Sequence, residues 1–294
     1  SCDICQLNKN NKALKQGQLC SGVVTKVHSR IYIDIVGKLP GSNGFEYILI
    51  VLDAASKFVR FYAIRKLCSK VICKILYKLF CDTGFVNEIA LDNASYFVSN
   101  IFKSFCYKLG IRLITITPYM ASSNQAERYI SCLKQGLRCY CAEQQTKWSL
   151  ILDELQFCLN MSTHEYMQET PGNLYYGRDM MDPLDVAWDV RTEDTDKCNI
   201  EARWKNAMEL MIEQWNKRKL KMNSTLKPSD YKIGDLIVVK AQRRSDLLGK
   251  TTSSLQSIFE GPYKIIKILT PNTFLVSDVK DDNVTRRVHI WRIK

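Results

Sequence analysis

No apolar run in the 294-residue sequence approaches the ~20 residues that a helix needs to cross a bilayer, so a membrane-spanning helix is not expected. The first eleven residues are polar and carry two cysteines, which is unlike a secretory signal peptide. There is no initiator Met, and the chain reads as a piece of something longer. Histidine is scarce: His28, His164 and His289 are the only three, and none precedes the first cysteine pair. Acidic residues are in deficit, 30 against 42 Lys and Arg. No internal repeat and no low-complexity tract is present.

What is there is ordinary for a globular chain, 46% hydrophobic and 24% charged, and long enough for two or three domains with cores of their own. The net charge of +12 is unevenly spread. Residues 201–294 hold 19 basic against 10 acidic residues. A concentrated positive excess favours a polyanionic partner, nucleic acid before an anionic membrane surface. Of twelve cysteines, ten sit in apolar segments or near element edges, as buried reduced thiols do, so a reducing compartment is expected.

Four regions follow from the patterning. Residues 1–25 hold Cys2-Asp-Ile-Cys5 and a Lys-rich connector. Residues 26–190 alternate strand and helix patterns. Residues 191–229 centre on one amphipathic helix over 196–222, with Trp204, Ala207, Met208, Met211, Ile212 and Trp215 at helical spacing. Residues 230–294 read as short strands between turns. In the second region, apolar runs at 31–36, 47–52 and 58–63 with tight turns predict an antiparallel meander. A helix over 70–81, a strand over 88–91, a helix over 100–109 ended by Gly110, a strand over 111–115 and a long helix from about Asn124 complete it. The expectation is an α/β domain, a mixed sheet covered by helices.

Three carboxylates stand out. Asp34 interrupts the apolar run Ile31–Val36, where a charge is costly unless paired or metal-bound. Asp92 ends a strand, where ligand sites of α/β sheets gather. Glu127 lies in the first turn of the long helix. Each has a plainer explanation. Asp34 could pair with a basic side chain, Asp92-Asn93 could be a turn, and Asn124 with Glu127 is a capping-box spacing worth about 1 kcal/mol.

The flanking sequences bear on that choice. Ile33-Asp-Ile-Val-Gly-Lys-Leu-Pro40, Leu91-Asp-Asn-Ala-Ser-Tyr-Phe97, and Thr117-Pro-Tyr119 leading into Asn124-Gln-Ala-Glu-Arg128 together resemble the integrase core of LTR retrotransposons, the gypsy type most of all. Leu159-Asn160, His164, Thr170-Pro171, Tyr176-Gly-Arg178, Tyr231–Leu236, Phe259–Tyr263 and Val288-His289 extend the resemblance along nearly the whole chain. It implies a ribonuclease-H-like core in which Asp34, Asp92 and Glu127 are catalytic and bind two Mg²⁺ or Mn²⁺ ions. Crowded carboxylates repel, divalent cations relieve the repulsion, and oxygen-only ligands suit these ions. The chain departs from the family pattern in three places. Only 34 residues separate Asp92 from Glu127, one fewer than the commonest form. Met120-Ala-Ser122 replaces His-Pro-Gln, and Ala94 replaces a Gly.

Ser131, Lys134 and Arg138 follow Glu127 at +4, +7 and +11, on one helical face. Beside them Ile130, Leu133, Leu137 and Tyr140 form an apolar face. Lys134 and Arg138 are candidate DNA contacts, with the resemblance supporting Lys134; a solvated face is the alternative. Arg128, Asn93 and Tyr119 flank the carboxylates as weaker candidates. The C-terminal region resembles a small SH3-like or chromodomain-like β-barrel for DNA or chromatin. Arg243 and Arg244, with Lys217, Arg218, Lys219, Lys221 and Lys250, could neutralise phosphates there without reading sequence.

Cys2 and Cys5 are half of a zinc site. The resemblance makes them the second half of a finger whose His pair lies upstream, so Zn²⁺ is expected only if that half is present; Cys20 and His28 are a local alternative ligand pair. The implied activity is 3′-end processing and strand transfer of element DNA into double-stranded target DNA, by a homo-oligomer in the nucleus after cytoplasmic assembly, with no membrane partner. Alternatives are a transposase or ribonuclease H of the same fold, and a catalytically silent, host-retained DNA- or chromatin-binding protein.

Overall fold

The computed structural model describes residues 7–8, 23–115, 126–188, 197–224, 231–241, 257–279 and 284–293; at Glu127, 197–198, 222 and 291 only the backbone is described. Two compact units emerge, Val23–Gln214 and a second that holds Trp215–Lys294.

The first unit is built on a five-stranded sheet of β1 (Arg30–Val36), β2 (Tyr47–Asp53), β3 (Val59–Ile64), β4 (Glu88–Leu91) and β5 (Arg112–Thr115), in the order β3-β2-β1-β4-β5. β1, β2 and β3 form the expected antiparallel meander. β4 and β5 join parallel to β1 through the crossover helices α1 (Ser69–Thr83) and, after the single turn α2 (Ser95–Val98), α3 (Asn100–Lys108). The sheet is thus mixed, as the alternating patterns imply. α2 was not expected from the sequence, being too short to show a period.

Side chains alternate across a strand, and here each face finds its own cover. Ile31, Ile33, Leu49, Val51, Ile89 and Leu91 pack with Ile72, Leu76 and Phe80 of α1 and Phe102 and Cys106 of α3. Tyr32, Val36, Ile48, Ile50, Leu52 and Ala90 pack on the opposite face with Ala126, Tyr129 and Leu133 of α4 (Ala126–Tyr140) and Leu152 and Leu155 of α5 (Leu152–Met161). Gly136 permits close approach of these two helices: a Cβ there would stand 2.8 Å from Leu155 Cδ2. Gly110 ends α3 at φ +69°, a conformation L side chains rarely adopt. Of the expected apolar face of α4, Leu133 is buried, Ile130 and Leu137 are partly so, and Tyr140 is exposed, because the helix ends there and no neighbouring element reaches it among the described residues.

The parallel register is held by charge. Glu88, buried at the start of β4, is bonded by Arg30 of β1 at 2.6 Å and by Arg112 of β5, its register partners on either side. The outer edge at β3 is closed by α5. Asn160 accepts from the Val59 N–H (2.9 Å) and donates to the Val59 carbonyl (2.8 Å), and Gln156 accepts from the Phe61 N–H (2.7 Å). Side chains here substitute for a further strand.

Two short helices, α6 (Pro171–Tyr176) and α7 (Pro183–Ala187), lead to the long α8 (Lys197–Asn223), close to its expected span. Within the first unit Ala207, Met208 and Met211 of α8 are buried with Met167 and Leu174. Ile212 is exposed, so the buried stripe is narrower than its spacing suggested. Arg203 fastens the helix, reaching Glu169 Oε2 and Asp179 Oδ1, each at 2.7 Å.

The second unit contains an antiparallel sheet of β6 (Leu236–Lys240), β7 (Phe259–Thr270), β8 (Thr273–Asp278) and β9 (Thr285–His289), in that order. An isolated bridge from Val239 to Ile293 brings the chain end back to β6. Ile237, Val239, Ile265, Phe274, Val276 and Val288 form its core. A four-stranded curled sheet of this size fits the expected SH3-like domain. The eight cysteines with described side chains are free thiols.

Candidate active site and nucleic-acid surfaces

Two of the three candidate carboxylates lie at the ends of two neighbouring central strands of the sheet. The last parallel partners of β1 and β4 are Tyr32 and Ala90. Asp34 and Asp92 each follow two residues later, so they stand level on neighbouring strands. Both also continue the alternation of the face covered by α4, since Tyr32, Val36 and Ala90 pack there. Asp34 is half-buried and its Oδ1 accepts from the Ile35 N–H at 2.7 Å. Asp92 is exposed just past β4, and its Oδ1 accepts from the Ala94 N–H at 3.1 Å, the turn geometry that Asp-Asn suggested. The turn and the placement at the strand end are compatible; the first orients the carboxylate and the second sets it level with Asp34 on the neighbouring strand.

Glu127 is in the first turn of α4, directly after Ala126, which is fully buried in the layer facing the two aspartates. Its side chain and Asn124, and with them the capping-box alternative, lie outside the described residues.

The phenol of Tyr96 reports the local field. Burial and then the negative charges of Asp92 and Asp34 push its pKa up to about 12. Nothing in the sequence singled out Tyr96; its place four residues after Asp92 was the available signal.

Lys134 and Arg138 are exposed on α4, as are Ser131 and Arg128. Arg128 is turned to the 162–169 segment, 3.3 Å from Glu165 and over the Tyr166 ring at 5.9 Å. Asn93 is exposed beside Asp92. Tyr119, Arg243, Arg244, Lys250, Cys2, Cys5 and Cys20 lie outside the described residues. His28, the other half of the local zinc alternative, has its ring against Tyr175 at 5.1 Å and its backbone N–H on Asp53. Among the described residues no group of three or more His, Cys, Asp or Glu is arranged to hold a metal ion.

Other charged groups proved structural. Asp53 accepts from the N–H groups of His28, Ala55 and Ser56 and from the Ser56 hydroxyl, and so shapes the turn from β2 to β3. Buried Lys57 donates to the Ala54 carbonyl at 2.5 Å; burial brings its pKa down to about 8 against the opposing pull of Asp53.

Residues 24–121 match the integrase core domain family. The chain is 28% identical over 260 residues to the Pro-Pol polyprotein of feline foamy virus, a match covering 86% of this chain and 20% of that polyprotein. It is 24% identical over 289 residues to a Tf2-3 transposon polyprotein of Schizosaccharomyces pombe, covering 93% of this chain and 21% of the other. The chain thus spans about a fifth of the length of these curated relatives. Among solved structures it is similar to a chain of a simian T-cell lymphotropic virus intasome in complex with a regulatory subunit, with TM-score 0.61, 17% identity, and coverage of 100% of this chain and 87% of that one. Residues 24–121 thus match the integrase core domain, and the chain is similar along most of its length to segments of retroelement polyproteins and shares its fold with an intasome chain.

Proposed function

We propose that the chain is a DNA polynucleotidyl transferase that processes the 3′ ends of retroelement DNA and joins them to target DNA. The observation that carries this is the level pair Asp34 and Asp92 on the face covered by α4. Two oxygen donors side by side at an accessible strand end fit Mg²⁺ or Mn²⁺, and Glu127 is the third donor by its match to the family motif. Divalent cations held there supply activation of the attacking oxygen and stabilisation of the leaving one.

The protein's own residues do the rest. Asp34 is fixed by the sheet and Asp92 by its turn, so the donors are positioned before substrate arrives. Lys134 and Arg138, exposed on the helix that carries Glu127, hold the phosphate backbone beside the site. Asn93 contacts the substrate next to Asp92. Arg128 is pre-oriented by Glu165 and Tyr166. Arg243 and Arg244 add phosphate contacts. The relatives include both viral and transposon polyproteins, and we read the chain as gypsy-type on its motifs. It works as a homo-oligomer on double-stranded DNA, in the nucleus, and takes Zn²⁺ at Cys2 and Cys5 only with an upstream ligand pair.

The test is joining of recessed 3′-end duplexes to a plasmid target with Mg²⁺ or Mn²⁺. Asp34→Asn and Asp92→Asn are each expected to reduce joining at least about 100-fold while leaving DNA binding in place. Equal joining by Asp92→Asn and the unsubstituted chain would overturn the catalytic reading and leave a DNA-binding protein.

A further inference from the structure

The turn that follows Asp92 is too short to support itself. α2 is a single helical turn, and the carbonyls at its end have no donor within the helix. The Tyr96 carbonyl is bonded from elsewhere: the hydroxyl of Ser69, the first residue of α1, donates to it at 2.7 Å. Ser99 Oγ stands 2.8 Å from Ser69 Oγ and 3.2 Å from the same carbonyl, and it accepts from the Phe102 N–H at 3.3 Å. A hydroxyl has one proton to donate. Ser69 gives its proton to the carbonyl, so the shorter contact assigns the Ser99 proton to Ser69. One directed chain results, from the Phe102 N–H through Ser99 and Ser69 to the Tyr96 carbonyl. Ser69, its bridge between helices, is buried.

The other end of the turn reaches the aspartate. The Ala94 carbonyl accepts from the N–H groups of Phe97 (2.9 Å) and Val98 (3.1 Å). The Ala94 N–H donates to Asp92 Oδ1 at 3.1 Å. Asp92 itself lies one residue beyond the last β4–β5 pair, Leu91 with Thr115, so strand pairing does not hold it. The direction of its carboxylate is therefore set by the turn, and the turn is tied to α1 through Ser69. α1 is in turn fixed in the core by Ile72, Leu76 and Phe80. Tyr96 is well placed for such a role: its carbonyl is clamped by Ser69, and its phenol lies in the field of Asp92 and Asp34.

We propose that Ser69 is a positioning residue for the Asp92 carboxylate, acting through the Tyr96 carbonyl, the α2 turn and the Ala94 N–H to hold Asp92 ready for a divalent cation. The inference rests on the proposed cation-binding role of Asp92. Without the Ser69 hydroxyl, Ser99 can turn its proton to the Tyr96 carbonyl, so that group stays satisfied and the fold is kept. Ser99 belongs to the same segment as Tyr96, however. The tie to α1 is then gone, and Asp92 loses its preset direction. Hydrogen-bond partners behind a metal ligand act by fixing that direction.

The experiment compares Ser69→Ala, Ser69→Thr and Thr83→Val in the full chain. Thr83, at the far end of α1, donates to the Leu79 carbonyl at 2.8 Å and is the control for losing a hydroxyl from the same helix. Mn²⁺ binding in the absence of DNA is followed by electron paramagnetic resonance, and joining is measured across a Mg²⁺ series. Ser69→Ala is expected to weaken Mn²⁺ binding about 10-fold and to raise the Mg²⁺ needed for half-maximal joining by a similar factor. Its joining rate returns at saturating Mg²⁺, with KM for DNA unchanged. Amide exchange accelerates at Ala94 and not at Leu76 in α1. Ser69→Thr, which keeps the hydroxyl, restores Mn²⁺ affinity, and Thr83→Val leaves it unaltered. Equal Mn²⁺ affinity in Ser69→Ala and the unsubstituted chain overturns the proposal. So does equal weakening in Thr83→Val, which would reduce Ser69 to a contributor to stability. Joining that is insensitive to Asp92→Asn, with the Ser69→Ala loss of Mn²⁺ affinity intact, would sink the catalytic reading and leave this inference standing.

Discussion

Asp34 and Asp92 stand level on neighbouring parallel strands, each two residues beyond the Tyr32–Ala90 pair. A sheet register pinned by Glu88 between Arg30 and Arg112 brings together two residues 58 positions apart. Two carboxylates so placed can share a divalent ion, and such an ion should stabilise the fold that presents them. Mg²⁺ or Mn²⁺ at 100 times its Kd is expected to add about 2.7 kcal/mol to the folded state. Asp34→Asn and Asp92→Asn should each remove most of the cation-induced rise in melting temperature. A rise of the same size in both variants would place cation binding elsewhere.

Asn160 replaces a strand at the sheet edge. Its amide satisfies both backbone groups of Val59, and it is 2% exposed. In Asn160→Ala these groups are left without a partner in a place water reaches poorly, at roughly 1–3 kcal/mol for each. The expected loss is therefore about 2–5 kcal/mol. Amide exchange at Val59 should accelerate more than at Ile50 in the central strand β2. Uniform acceleration across the sheet would show that Asn160 acts on global stability alone.

The strands of the core were legible because their apolar runs are dense and bounded by turns. Asp34 was visible because it breaks one. What stayed hidden depends on pairing. β7 carries a bulge at Ile266 that cannot be read from the strand by itself, since only the partners of Lys264 and Lys267 reveal the change of face. The role of Asn160 requires knowing that β3 is an edge. Ile212 looked like core because helical spacing records which residues share a side, not where the neighbouring element stops. Tyr96 is an aromatic residue among many until Asp34 and Asp92 are seen to act on it.

Arg203 joins α8 to two carboxylates that come from separate segments, Glu169 and Asp179. Burial alone would raise the Glu169 pKa. The Arg203 guanidinium, the Thr170 N–H and Asn173 outweigh it and hold the carboxyl below its usual value. A carboxyl depressed on folding contributes stability above its unfolded pKa of about 4.3, and the contribution is lost as pH falls through the folded value. Arg203→Met is expected to cost roughly 1–3 kcal/mol near neutrality, between the exposed and buried limits. It should also flatten this part of the acid limb below about pH 4.3. A constant offset between the two chains from pH 7 to pH 3 would contradict the assignment.

His164 and His289 titrate in a different window. Burial lowers His164 to about 4, helped by the positive charges of Lys57 and Arg128, and burial alone takes His289 to about 4. The Tyr166 N–H at 3.4 Å from His164 Nδ1 suits a neutral ring with an acceptor at that nitrogen. Between about pH 6.5 and the folded values the unfolded chain binds protons that the folded chain refuses. Stability is therefore full above about 6.5 and falls as the solution is acidified towards 4. Each histidine belongs to a different unit, His164 to Val23–Gln214 and His289 to the C-terminal one, so the decline should show in both if they unfold separately. His164→Gln is expected to reduce the pH 7.5-to-5 difference only in the unit that contains the core sheet. Ring resonances that stay in the neutral position down to about pH 4.5 would agree with this, whereas a midpoint near 6.5 for either ring would overturn the assignment for that residue.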